Sequence, residues 1–219
     1  MHFQFLIEDQ SSEALILELM QKIVPDAPHI TYDCKSFRGI GGFRKKQTGK
    51  ETRTGKLLDD LAIYLRGFDK SFRDFQAAIF VILDNDDNIT EDFKARLEQV
   101  AVDKNITTDH VFCIAVEEVE AWLLGDEAAV TAVYPDARRQ VLRAYVQDSI
   151  CGTWETLANV IYPGGLVRMQ KECPSYREIG MRKKEWAQKI GSQMDLSRNK
   201  SPSFNYFINE LRQRISPAA

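Results

Sequence analysis

Apolar and polar positions along the chain switch repeatedly between two periods. His2 to Ile7 is a strand-like run, and Ser11 to Ile23 then takes helical spacing through Ala14, Leu15, Leu17, Leu19, Met20 and Ile23, with Ser11 or Ser12 as N-cap. His29 to Cys34 reads as a second strand, and Leu57 to Leu65 as an amphipathic helix. Ala77 to Leu83 lacks polar alternation altogether, so both of its faces should be covered, as in a parallel sheet flanked by helices. A helix from about Thr90 to Ala101, capped by Thr90, precedes a further strand from His110 to Val116. Strands that alternate with helices predict a parallel α/β sheet.

Beyond Ala128 the spacing is helical only, over 128–133, 137–146, 153–160 and 183–193, punctuated by Pro163-Gly164-Gly165, Cys173-Pro174 and Ser201-Pro202. The expected organisation is therefore an α/β core over 1–126 and a helical extension over 127–219 packed on it. A chain of 219 residues can bury a substantial core. Its net charge is −3, yet Lys35 to Lys56 holds eight basic residues against the single acid Glu51, so the remainder is acidic.

Composition removes several function classes. Cys34, Cys113, Cys151 and Cys173 are widely spaced, which argues against a zinc site or a disulfide framework. They are expected to be reduced thiols of a cytoplasmic protein. The opening residues form no basic segment followed by a long apolar stretch, and no apolar run approaches a membrane span, so no membrane role is expected. No Gly-x-x-x-x-Gly-Lys-Ser/Thr element is present, so ATP hydrolysis would need a separate partner. His2, His29 and His110 are too separated to suggest a shared metal or base.

The candidate chemistry lies where strands end. Phe80-Val81-Ile82-Leu83 breaks into Asp84-Asn85-Asp86-Asp87, Glu8 and Asp9 follow the first strand, and Glu117, Glu118 and Glu120 follow the last. In a parallel sheet the three groups emerge at one edge, where ligands of α/β sheets bind. Crowded carboxylates repel one another, and a hard divalent cation relieves the cost. Each group also has an ordinary reading, as an Asx turn or as first-turn acids favoured by a helix dipole.

Ile7-Glu8-Asp9-Gln10-Ser11-Ser12-Glu13 and Leu83-Asp84-Asn85-Asp86 resemble the two acidic motifs of the Toprim domain, shared by topoisomerases, primases and overcoming-lysogenization-defect nucleases. Asp9 stands where many members carry glycine. Over nearly its whole length the chain resembles a Toprim-like bacterial family encoded beside ATPases in defence loci. The strings that carry this likeness are Glu118-Val119-Glu120-Ala121-Trp122-Leu123-Leu124-Gly125-Asp126, Ser149-Ile150-Cys151-Gly152-Thr153-Trp154 and Ser201-Pro202-Ser203-Phe204.

The resemblance implies a Toprim-like parallel core and metal-dependent phosphodiester hydrolysis of DNA or RNA. Glu8, Asp84 and Asp86 would hold Mg²⁺ or Mn²⁺, and Glu118 or Glu120 would help hold a second ion or orient the attacking water. Lys35, Arg38, Arg44, Lys45 and Lys46 would contact phosphates, with Lys184 as a further candidate. Lys183 and Lys184 are otherwise expected on the solvent face of a helix whose Trp186 is buried. Trp122, Trp154 and Trp186 read as core anchors. A separate ATPase is the implied protein partner, the setting is anti-phage defence, and self-association is left open.

Three other readings remain at this stage. A haloacid-dehalogenase-type phosphoesterase would use Asp84 as nucleophile but leaves Glu8 and Glu118 idle, and a sugar-nucleotide transferase lacks a recognisable nucleotide pocket. A non-catalytic Toprim-shaped module docking an ATPase would keep the carboxylates for folding. An EF-hand is set aside, because Ile89 stands where its loop needs glycine and Ala95 where it needs glutamate.

Overall fold

The computed structural model describes residues 1–24, 29–43, 54–86 and 88–215. Four strands, β1 (His2–Ile7), β2 (Thr31–Ser36), β3 (Ala77–Asp84) and β4 (Asp109–Ala115), form one sheet in the order β2-β1-β3-β4, and every neighbouring pair is parallel. Helices α1 (Gln10–Ile23), α2 (Leu57–Ser71) and α3 (Thr90–Asp103) connect them. The fold class is thus α/β with a helix-flanked parallel sheet and a C-terminal helical part, consistent with a Toprim-like core.

All eight residues of β3 are buried, which explains its unbroken apolar run. Successive side chains feed opposite cores. Phe80 and Ile82 join Phe3, Phe5, Ile7 and Leu15 of α1 on one face. Ile79, Val81 and Leu83 join Leu61 of α2 and Leu97 of α3 on the other. Each fully buried side chain of this size contributes roughly 1.5–3 kcal/mol of transfer free energy.

The helices after β4 are α4 (Glu120–Leu124), α5 (Glu127–Val133), α6 (Arg139–Ala144), α7 (Thr153–Ile161), α8 (Gly165–Glu172), α9 (Tyr176–Gln193) and α10 (Pro202–Ile215). They share the α1-side core with the sheet: Phe207 of α10 stacks on Trp122 at 5.3 Å and meets Phe80 edge-on at 6.1 Å. Helix α9 lies so close to α1 that a Cβ on Gly191 would come within 2.8 Å of Leu15.

Several local expectations need correction. Asp9, not Ser11 or Ser12, caps α1, its carboxylate accepting the Ser12 N–H at 2.8 Å; a carboxylate reaches the orphan amide and favours the positive end of the dipole. Thr90 does not cap α3 but is its first residue, and its hydroxyl accepts from the Asn85 amide. The helix bearing Trp122 is five residues long and buried on every side instead of amphipathic, because α5, α7 and α9 enclose it and Phe204 and Phe207 of α10 pack on Trp122. Helices α8 and α10 have no counterpart in the predicted spans, since proline and glycine signals overlie their starts.

Candidate metal centre at the sheet switch point

The order in which strands are added reverses between β1 and β3: β2 lies outward on one side of this parallel pair and β4 on the other. In doubly wound sheets that point opens a crevice at the carboxyl ends of the strands. Glu8 follows β1 there, and Asp84 ends β3. The two are joined directly, the Asp84 backbone N–H donating to Glu8 Oε2 at 3.1 Å. Asp84 Oδ1 in turn accepts the Val119 N–H at 2.9 Å, which ties the β3 end to the segment after β4. Asn85 fastens the same junction by accepting the Glu117 N–H at 2.6 Å. Asp86 and Glu117 both take left-handed backbone (φ +48° and +61°), a conformation that stores strain where other contacts enforce it. Asp86 is exposed at the crevice, and Asp87 lies outside the described residues.

Burial dominates the electrostatics. It raises the Glu8 carboxyl to about 7, with the charges of Asp9 and Asp86 adding and the Asp84 N–H opposing. Asp84, 6% exposed, is pushed well above the ordinary carboxylate range by burial and then by Glu8, against Lys183. Glu120, 2% exposed, is raised to about 7 by burial despite Lys183. Carboxyl groups far apart in the chain therefore feel one another at one place.

Lys183 is the residue that the sequence reading misplaced. It is not on a solvent face: its ammonium enters the acidic cluster, 3.2 Å from Glu118 Oε1 and 3.1 Å from Glu120 Oε2. Burial alone would lower its pKa, but Glu120, Glu118, Asp84 and Asp9 outweigh that and hold it above the usual lysine range. A signal was present, since Ile179, Lys183, Trp186, Ala187 and Ile190 recur at the three- and four-residue steps of one helix face. Trp186, Ala187 and Ile190 are buried on it.

Glu117 and Glu118 do a second job. Glu118 Oε2 accepts the Trp154 N–H at 3.0 Å. Glu117 accepts the Cys151 and Gly152 N–H groups and the Thr153 hydroxyl at the start of α7, and these bonds hold its pKa low against burial. The Ser149–Trp154 string is thus the cradle of the acidic loop. Ser201 and Ser203, considered above for the Ser-Pro-Ser-Phe string, are structural as well. The Ser201 hydroxyl and Ser203 N–H donate to Asp148, and Trp122 Nε1 donates to Ser203.

Of the expected phosphate contacts, Lys35 and Arg38 are exposed at the carboxyl end of β2, beside β1, where the Gly39 N–H donates to the Glu8 carbonyl at 3.1 Å. Arg44, Lys45 and Lys46 lie outside the described residues. Lys184 is half-buried on α9 next to Lys183.

The donor set is carboxylate oxygen throughout, the chemistry of Mg²⁺ or Mn²⁺ and not of a thiolate or imidazole metal. Among the described residues, no group of three or more His, Cys, Asp or Glu side chains is placed so that it could hold a metal ion. Burial and the Glu8 charge raise Asp84, and burial with the charges of Asp9 and Asp86 raises Glu8, so a cation among these groups would relieve that repulsion.

The pH dependence of stability follows from these shifts. Glu8 and Glu120 bind protons more tightly folded than unfolded, so between pH 4.5 and about 7 the native state holds the excess protons. Their contribution is present at the acid end of that window and is lost as pH rises through 7. Lowering the pH of chelator-treated protein from 8 to 5.5 is expected to raise Tm by roughly 4–8 °C, for about 2 kcal/mol. Calorimetry showing Tm falling over that range would contradict the assignment.

A doubly wound parallel α/β protein with an acidic crevice at its switch point is the class that fold and site define. The chain belongs to the family described as Domain of unknown function (DUF4276), whose pattern matches residues 7–212. No curated protein and no solved structure matches it. Among the described residues, no helix is long and apolar enough to cross a membrane.

Proposed function

We propose that the protein is a divalent-metal-dependent nuclease, hydrolysing phosphodiester bonds of DNA or RNA. The observation that carries this reading is the pairing of Glu8 with Asp84 at the switch point, a half-buried carboxyl just after β1 and a buried one at the end of the adjacent β3, with Asp86 beside them. These residues would hold Mg²⁺ or Mn²⁺, which when bound lowers the pKa of a water and neutralises charge on the departing oxygen. The chain's own part is to orient and to bind. The Val119 and Asp84 N–H groups fix the carboxylates, and Asn85 locks the two strand ends together. Lys35 and Arg38 lie at the same edge of the sheet, where they would bind phosphates without regard to sequence.

A cytoplasmic role in anti-phage defence with a separate ATPase goes with this reading through the resemblance described above. The rival is a Toprim-shaped docking module, favoured by one observation: Lys183 already neutralises part of the cluster. Mn²⁺-dependent cleavage of plasmid DNA or tRNA, assayed with and without the partner ATPase, separates the two. Lys35→Ala/Arg38→Ala is expected to weaken nucleic-acid binding and to flatten the slope of log K against log salt by about two. No cleavage under any of these conditions, with partner binding intact, would establish the docking module instead.

A further inference from the structure

The first two turns of α9 stand clear of the sheet. The helix runs alongside α1 in the same direction: Lys183 feels the charge of Asp9 at the α1 N-cap, Gly191 meets Leu15, and Lys22 donates to the Ser192 and Met194 carbonyls. Tyr176 precedes Lys183 by two helical turns, so α9 rises about 10 Å past the α1 N-cap and the carboxyl edge of the sheet beside it. That spacing also puts Tyr176 on the same side of the helix as Lys183, above the crevice. Tyr176 is 95% exposed and contributes no burial to the fold. Gly180, one turn on, has no atom within 4 Å of where a Cβ would stand, so the ring is open on that flank.

The charges around this ring are unbalanced. Between Lys171 and Glu185 every acid is already engaged: Glu172 by Arg168 and the Tyr162 hydroxyl, Glu178 by the Ser175 N–H and hydroxyl, and Glu185 by Arg182 and Lys189. Lys171, Arg177 and Lys184 have, among the described residues, no carboxylate within ion-pair distance. Arg177, exposed Met181 and Lys184 follow one another at steps of four and three along one face of α9. A free aromatic ring flanked by cations that lack a counter-charge complements a polyanion whose bases offer open π-faces. A duplex keeps its bases stacked and presents only its phosphates to such a surface.

We infer that the projecting turns of α9 are a platform for single-stranded nucleic acid, with a base stacked on Tyr176 and the flanking phosphates on Arg177 and Lys184. The inference rests on the nuclease reading under Proposed function for the route of the strand into the crevice, and it names the form of the substrate. The binding itself requires no metal ion.

Fluorescence anisotropy of the full chain in chelator, with labelled oligothymidylate, oligouridylate and an oligothymidylate–oligoadenylate duplex, tests this. At least one single strand is expected to bind more tightly than the duplex. Tyr176→Ala should weaken that binding about tenfold, the loss of one stacked base, and Tyr176→Phe should keep it. Arg177→Gln/Lys184→Gln should flatten the slope of log K against log salt by about 1.4, for two single-strand phosphate contacts. No single-strand binding, or equal affinity in the native protein and Tyr176→Ala, overturns the inference. So does loss of partner-ATPase binding in Tyr176→Ala with oligonucleotide affinity unchanged, which would make the stripe a protein-docking face. Single-strand binding that responds as expected, with no cleavage under any metal, supports the platform and sinks the nuclease reading. Metal-dependent cleavage of duplex plasmid without single-strand binding does the reverse.

Discussion

Asp84→Asn is expected to abolish Mn²⁺-dependent cleavage, by about a hundredfold or more, without unfolding the protein. The activity argument is electrostatic. Asp84 is the buried carboxylate shared by the two halves of the cluster, linked to Glu8 through its backbone and to Val119 through its side chain. An amide keeps the size, and its oxygen still accepts the Val119 N–H, but it brings no charge to a cation. Disturbing even the outer partners of a metal site typically costs 10–100-fold, and loss of a direct ligand costs at least that. The stability argument runs the opposite way. Asp84 is driven toward its protonated form by burial and by Glu8, so a neutral side chain relieves repulsion. Chelator-treated Asp84→Asn should melt at or above the native Tm, whereas native protein at a hundred times Kd in Mn²⁺ should gain about 2.7 kcal/mol that the variant lacks. Plasmid nicking and calorimetry on the same samples check both halves. Undiminished cleavage would remove Asp84 from the mechanism.

Asp126→Ala should be the most damaging single change away from the crevice, costing about 3 kcal/mol and roughly 6–12 °C in Tm. The Asp126 side chain is completely buried and accepts from the Ala128 and Ala129 N–H groups at the start of α5. It also accepts the Asp195 N–H and both arms of Arg198, at 2.9 and 3.0 Å. Alanine leaves buried donors unmet, each worth about 1–3 kcal/mol. Arg198 is itself half exposed and recovers part of its loss in water, which keeps the total from rising further. The segment that Asp126 anchors also carries Asn199, whose Oδ1 would lie only 2.1 Å from a Cβ on Gly125. Thermal melts of Asp126→Ala and Asp126→Asn decide the matter: equal, near-native values for both would show that the hydrogen bonds contribute little.

Particular residues show how far the sequence could be read. The seven apolar residues Ala77–Leu83 of β3 announced themselves, because a strand covered on both faces has no reason to alternate. Glu8, Asp84 and the Glu117–Glu120 group were legible as strand-end acids, since a parallel sheet brings all its carboxyl ends to one edge. Lys183 was not. Its spacing marked it as inward-facing, but charge is ordinarily outward, and only partners elsewhere in the chain can reverse that preference. Glu117 was misleading in the other direction, an acid of the right cluster whose oxygens are taken by the Cys151 and Gly152 N–H groups just before α7.

The sequence alone thus determined the periodicity, the parallel α/β class and the placement of acids at strand ends, all of which depend on neighbours a few residues apart. The tertiary structure decided the strand order, the meeting of Glu8 with Asp84 and the seating of Lys183 among Glu118 and Glu120. Those facts depend on burial shared between segments as many as 76 residues apart, where the cost of a buried charge is set by which opposite charge the fold delivers to it.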